Sequence, residues 1–191
     1  MRDEGARALA EHVSLASRLD ALLPRVEEVA RRLIEVYERG GRLYAFGNGG
    51  SAADAQHLAA ELVGRYRRER APLAASALTV DPSVVTCIGN DYTFEDVFAR
   101  QVRAHVRTDD LVVAYSTSGR SANVVRGLEA ARGAGATCVL FTGGDGGPAA
   151  AHADVVLAVP SAETARIQEM HLLLTHLVVE QVDAWAEQKA D

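Results

Sequence analysis

The fold is decided by residues 111–141, LVVAYSTSGRSANVVRGLEAARGAGATCVLF. An apolar run too short for a helix, Leu111–Tyr115, leads into the hydroxyl-rich segment Ser116-Thr117-Ser118-Gly119-Arg120-Ser121. A helical pattern over 121–133 follows, and then a second short apolar run, Thr137–Phe141. Strand, helix and strand in one unit, with strands apolar nearly throughout, describe a parallel pair covered on both faces.

The alternation continues outward from this unit. Leu43–Phe46, Ala74–Leu78 and Val155–Val159 read as further strands, and 51–64, 93–107, 147–152 and 162–188 as helices. Two amphipathic helices precede the first strand, over 4–20 and 24–39. Leu9, Val13, Ala16 and Leu19 form one apolar stripe, and Val26, Val29, Leu33 and Val36 the other. Pro24 suits a first helical turn, and Gly40-Gly41 ends the second helix. The expected fold is α/β, a three-layer sandwich around a five-stranded parallel sheet of flavodoxin-like kind. It occupies residues 1–191 as a single domain, with 1–40 as an N-terminal helical extension.

Composition narrows the function. A chain of 191 residues with a net charge of −6 offers no electrostatic reason to bind nucleic acid or an anionic membrane. Arg65, Arg67, Arg68 and Arg70 alternate with Glu69 and read as a solvated face, with an anion funnel as the alternative. The two cysteines, Cys87 and Cys138, sit in apolar surroundings as small buried hydrophobes. The charged N-terminus has no signal-peptide run, and no apolar stretch approaches a membrane span, so cytoplasm is the expected location.

Ligands of open parallel sheets bind beyond the carboxyl ends of the strands. Two loops lie there. Gly47-Asn48-Gly49-Gly50-Ser51 combines backbone freedom with helix-start amides that attract anions. It also fits a permissive dinucleotide pattern, through Gly47, Gly49 and Ala52, with Asp81 available for a ribose hydroxyl. No Gly-Lys-Ser/Thr follows, which excludes a P-loop. The second loop, 116–121, carries four hydroxyls, more than one helix cap requires, and reads as a cradle for a terminal phosphate.

His57 and Glu61 are four residues apart on one helix, with Asp54 on the same stripe. That spacing suits a metal chelate or a plain surface pair. On the last helix, His176 lies among Leu172, Leu173, Leu174, Leu177, Val178 and Val179. It reads as a satisfied core histidine or as a catalyst. Gln168 precedes it by about 12 Å of helix axis, an awkward reach if both served one metal.

Taken together, GNGGSAADAQHLAAEL (47–62), GRY (64–66), CIGND (87–91), STSGRSANV (116–124), FTGGDGG (141–147) and ARIQEMHLLLTH (165–176) resemble the sugar isomerase (SIS) domain family, and within it the phosphoheptose isomerases. The resemblance implies conversion of sedoheptulose 7-phosphate to D-glycero-D-manno-heptose 7-phosphate, without a nucleotide cofactor, in homotetramers with active sites between subunits. It implies Glu61 and His176 as the catalytic acid–base pair. It implies His57, Glu61, Gln168 and His176 as ligands of one zinc per site. Asn48, Ser51, Arg65, Asp91 and Gln168, with Ser116, Thr117, Ser118 and Ser121, are then the sugar and phosphate contacts. Where some members carry an acid before Arg-Ile-Gln, this chain has Ala165, with Thr164 or Glu163 as substitutes. The resemblance and the single-helix geometry together lead to the expectation that Glu61 and His176 meet across a subunit boundary. The family also contains non-catalytic sugar-phosphate sensors and a scaffold that regulates replication initiation; Glu61 and His176 favour an enzyme. A dinucleotide-dependent oxidoreductase leaves the serine-rich loop without a task.

Overall fold

A computed structural model describes residues 2–189. Five strands, β1 (Leu43–Gly47), β2 (Ala75–Ala77), β3 (Leu111–Ser116), β4 (Thr137–Gly143) and β5 (Val155–Val159), form one parallel sheet in the order β2-β1-β3-β4-β5. Leu43 stands opposite Ala75 on one side and Leu111 on the other, and Leu111 opposite Thr137. Chain order therefore reverses at the β1/β3 boundary. The loops leaving these two strands diverge there and open a crevice. Both loops singled out in the sequence start at that crevice.

The helices are α1 (Arg2–Ala16), α2 (Leu23–Glu38), α3 (Gly50–Val63), α4 (Pro82–Asp91), α5 (Val97–His105), α6 (Ala122–Gly133) and α7 (Thr164–Glu187). Alternate strand residues serve opposite faces. Leu43, Ala45, Leu111, Val113, Tyr115 and Phe141 meet Leu33 of α2, Leu62 of α3 and Met170 and Val179 of α7. Tyr44, Phe46, Val112, Ala114, Cys138 and Leu140 meet Phe98 and Val102 of α5 and Val124 and Leu128 of α6. Phe46 and Phe98 stack with ring centroids 4.7 Å apart. Truncating such a fully buried ring to Ala costs about 3–5 kcal/mol.

Several expectations are corrected. Helix α4 falls where no helix was read. Only Ile88 of it is buried, so its apolar periodicity is weak. Its start signal is nevertheless clear: Pro82 occupies the first turn, and Asp81 accepts hydrogen bonds from the N–H groups of Ser83 and Val84 at 2.9 and 3.0 Å. Asp81 is thus a helix cap. The first helix stops at Ala16, followed by a 3-10 turn at Leu19–Leu22, and residues 147–152 reduce to the 3-10 turn Pro148–His152. Leu9 and Val13, expected on a packed stripe, are 65% and 59% exposed. Cys87 is exposed, whereas Cys138 is buried. Arg70 is no part of a solvated face. Its side chain and that of Asp183 are 0% and 1% exposed and form an ion pair at 2.9 Å.

Candidate active site

At the β1/β3 crevice a hollow of about 310 Å³ is lined by Asn48 to Ser51, by Tyr115, Ser116, Thr117 and Ser121, and by Thr164 and Gln168 of α7. Helices α3 and α6 begin here, so their first amides supply anion-attracting donors. Asn48 and Asn123 exchange side-chain hydrogen bonds at 2.8 and 2.9 Å, linking the two loops. Gln168 lies flat on Gly50, where a Cβ would fall 2.4 Å from its Nε2. In the second loop, the Ser116 hydroxyl oxygen accepts from the Gly119 N–H at 3.1 Å, and that of Ser118 from the Arg120 N–H at 3.2 Å. Ser121 occupies the N-cap position of α6 but makes no side-chain cap bond, which leaves its hydroxyl for a ligand. Gly119 has φ +61°, and a Cβ there would lie 1.8 Å from the Gly146 carbonyl oxygen. The loop is also fixed by Gly143 N–H donating to Thr117 O at 3.1 Å and Ala149 N–H to Gly119 O at 3.0 Å. The FTGGDGG segment is therefore the seat of the hydroxyl loop.

A second cluster lies further along α7. His57 and Glu61 share one face of α3, with Nε2 3.1 Å from Oε1. His176 of α7 brings its Nε2 to 3.1 Å from that of His57. The ligand atoms of His57, Glu61 and His176 all lie within 4.8 Å of one another. Zinc–ligand bonds of about 2.0–2.2 Å separate neighbouring tetrahedral ligands by roughly 3.3 Å, so three positions of such a site fit these side chains. Burial holds His176 below the usual imidazole range, aided by the charges of His57 and Arg67 and opposed by Glu61. A low value keeps the ring neutral, as a metal ligand or general base requires. One turn before His57, burial pushes Asp54 up to about 6, against the pull of His57. One of its carboxylate oxygens is buried without a hydrogen-bond partner among the described residues.

Residues 9–143 match the SIS domain family. The chain belongs to that family. A phosphoheptose isomerase from Roseiflexus sp. (strain RS-1) is 52% identical over 165 residues, spanning 86% of this chain and 84% of its own length. The solved structure of phosphoheptose isomerase GmhA from Neisseria gonorrhoeae superposes with a TM-score of 0.91 at 42% identity, covering 96% of this chain and 98% of that one. The phosphoheptose isomerase from Francisella tularensis superposes with a TM-score of 0.92 at 33% identity, covering 95% and 97%.

In this SIS domain, the residues singled out in the sequence divide into three groups. Asn48, Ser51, Ser116, Thr117, Ser121 and Gln168 share the hollow. Ser118 faces a neighbouring depression with Arg120 and Asp145. Of the substitutes for the missing acid, Thr164 lines the hollow, while Glu163 does not. His57, Glu61 and His176 form the separate cluster, so Glu61 and His176 meet within one chain. The expected meeting across a subunit boundary is corrected: α3 and α7 pack side by side, whereas Gln168 stays in the hollow. Arg65 and Asp91 are exposed and belong to none of the three. Asn123 and Tyr66 fall inside the motifs of the resemblance but were given no role in the sequence. Asn123 is buried against Asn48, and the Tyr66 ring stacks on His176 at 5.3 Å.

Proposed function

We infer that this protein is a phosphoheptose isomerase, interconverting sedoheptulose 7-phosphate and D-glycero-D-manno-heptose 7-phosphate. The observation that carries the reading is the intact Glu61–His57–His176 cluster beside a hydroxyl-lined anion hollow. The relatives named above support it. In the ketose-to-aldose direction, the Glu61 carboxylate takes a proton from C1 while the C2 carbonyl oxygen gains one, giving the 1,2-enediol. A proton then returns to C2 as the C1 hydroxyl loses its own. His176 moves the protons between the two oxygens. The 7-phosphate, held by Ser116, Thr117, Ser121 and the helix-start amides, supplies binding energy remote from the reacting carbons. Zinc held by His57, Glu61 and His176, with Gln168 as the fourth expected ligand, would polarise the sugar oxygens. A metal and a proton cannot share His176 Nε2, so metal content decides between the ligand and acid–base roles of that nitrogen.

A cytoplasmic homotetramer completes the reading. Among the described residues, no helix is long and apolar enough to cross a membrane. The exposed Leu9 and Val13 of α1 and Leu173 of α7 suit burial against another copy. No Lys or Arg lines the hollow, and none of His57, Glu61 and His176 does. The two stations are eight residues apart on α7, about 12 Å. These facts favour a site in which one chain's hollow faces another's cluster, with the exposed Arg65 or Asp91 reaching a neighbour's substrate.

Purified protein should isomerise sedoheptulose 7-phosphate with no nucleotide added. Binding without turnover would instead make it a sugar-phosphate sensor. About one zinc per chain and chelator-sensitive turnover are expected, and full activity in metal-free protein would remove the metal role. Mixed tetramers of Ser121→Ala and His176→Ala chains, verified by native mass spectrometry, should regain turnover at the KM of the unmodified protein, which neither variant shows alone. Glu61→Gln plus His176→Ala chains should regain none, since each cluster keeps one defect. The opposite pattern would refute this division of the site.

A further inference from the structure

Tyr66 lies on the segment between α3 and β2, outside both stations. Its ring stacks on His176 with centroids 5.3 Å apart and planes 28° from parallel, while His57 packs on the same imidazole at 5.1 Å. A working histidine is ordinarily aimed by a hydrogen bond from its second ring nitrogen. Here Nε2 faces His57, and Nδ1 makes no hydrogen bond among the described residues. The rotation of this ring is fixed by stacking instead.

Tyr66 is itself anchored to both helices of the cluster. The N–H groups of the next two residues, Arg67 and Arg68, donate to Asp183 Oδ2 at 3.0 and 2.8 Å. Asp183 lies on α7, about two turns beyond His176. The buried Arg70 guanidinium pairs with Asp183 and donates to the Glu61 carbonyl at 2.7 Å. One clasp therefore holds the Tyr66 segment to α7 near His176 and to α3 at Glu61. Removing either charge of such a buried pair is strongly destabilising, which makes the clasp rigid.

We propose that Tyr66 is a positioning residue, whose ring sets the orientation of His176 toward His57 and Glu61. The proposal rests on the isomerase reading for its kinetic consequence but not for its structural one. Tyr66→Phe keeps the stack and should keep kcat within about twofold, whereas Tyr66→Leu should lower kcat by roughly 10–100-fold with KM nearly unchanged. In the same variants, the nuclear Overhauser contact between the His57 and His176 rings should survive in Phe and disappear in Leu. Three results overturn the proposal: wild-type turnover in Tyr66→Leu, loss of turnover in Tyr66→Phe, or a preserved ring contact in Tyr66→Leu. The Phe variant still tests it if Leu does not fold. Inactivity of the unmodified protein on sedoheptulose 7-phosphate would refute the reaction alone, because the ring contact still decides the role of Tyr66.

Discussion

The anion hollow and the His57–Glu61–His176 cluster share α7 but are built in opposite ways. The hollow is made mainly from two contiguous stretches of chain, short loops with their glycines and hydroxyls that run into the first amides of α3 and α6. The cluster is made from side chains of two helices more than a hundred residues apart in sequence. Backbone donors, once seated, lose little when one side chain is removed. A cluster of three side chains has no such reserve. Substitutions should therefore act steeply at the cluster and gradually at the hollow.

The largest effect is expected at the cluster. Glu61→Gln and His176→Ala should each lower kcat by about 10²–10⁴-fold, with KM for the phosphorylated sugar close to unchanged. Circular dichroism and a phosphate-binding titration would confirm folding and an intact hollow. If KM rose and kcat held, the cluster would be a binding element and the contrast between the regions would collapse.

Acid should strike the helix that both regions share. Burial holds His171 of α7 at about 4, against the pull of its contact with the Thr142 carbonyl. In the unfolded chain the same imidazole titrates near 6.5. Between these values the unfolded state binds the proton first, so stability is full above about 6.5 and falls as pH drops toward 4. The loss from this one group is roughly 3 kcal/mol. Melting profiles of the protein and of His171→Asn should differ in slope across that window. Parallel slopes would show that His171 titrates normally.

At the hollow the change should be milder. Ser121→Ala removes one charge-assisted hydrogen bond to the phosphate, worth about 1–3 kcal/mol, and should raise KM while leaving kcat nearly intact. Unphosphorylated sedoheptulose should bind poorly to either form. Calorimetry giving equal affinities for the two sugars would disconnect the 116–121 loop from substrate binding.

The same contrast explains what the sequence disclosed. The sheet and its two loops were legible because their signals are local: short apolar runs, hydroxyls beside a glycine, helix starts. The cluster was legible by half. His57 and Glu61 betray themselves by their spacing of four residues, but nothing local to α7 assigns His176 to that pair, and its apolar neighbours read equally as core. The family resemblance supplied the missing half and, with the reach of a single helix, the expectation of a shared boundary that α3 and α7 contradict for this pair. Arg70 was misread because its exposure depends on Asp183, far along the chain. Asp81 stayed ambiguous in the sequence because a helix cap and a ribose-binding acid look alike until the amides of Ser83 and Val84 are seen to occupy it.

The smallest effect should come where a side chain does support the hollow. Asn48 and Asn123 exchange amide hydrogen bonds between the loop after β1 and the first turn of α6. Asn123 is 3% exposed, whereas Asn48 is half-buried and reaches the hollow. In Asn123→Ala, the Asn48 amide loses its partner but can turn to solvent or substrate, so the net cost is about 1 kcal/mol, or roughly fivefold in KM. Asn123→Asp should do more harm, since a carboxylate cannot donate to the Asn48 oxygen and brings a negative charge toward a bound phosphate. KM should therefore rise in the order wild type, Ala, Asp, with kcat nearly constant. If Ala and Asp are equivalent, no anion lies near this pair. If Ala leaves KM unchanged, the loops alone hold Asn48 in place, and the division between a backbone-built hollow and a side-chain-built cluster is sharper still.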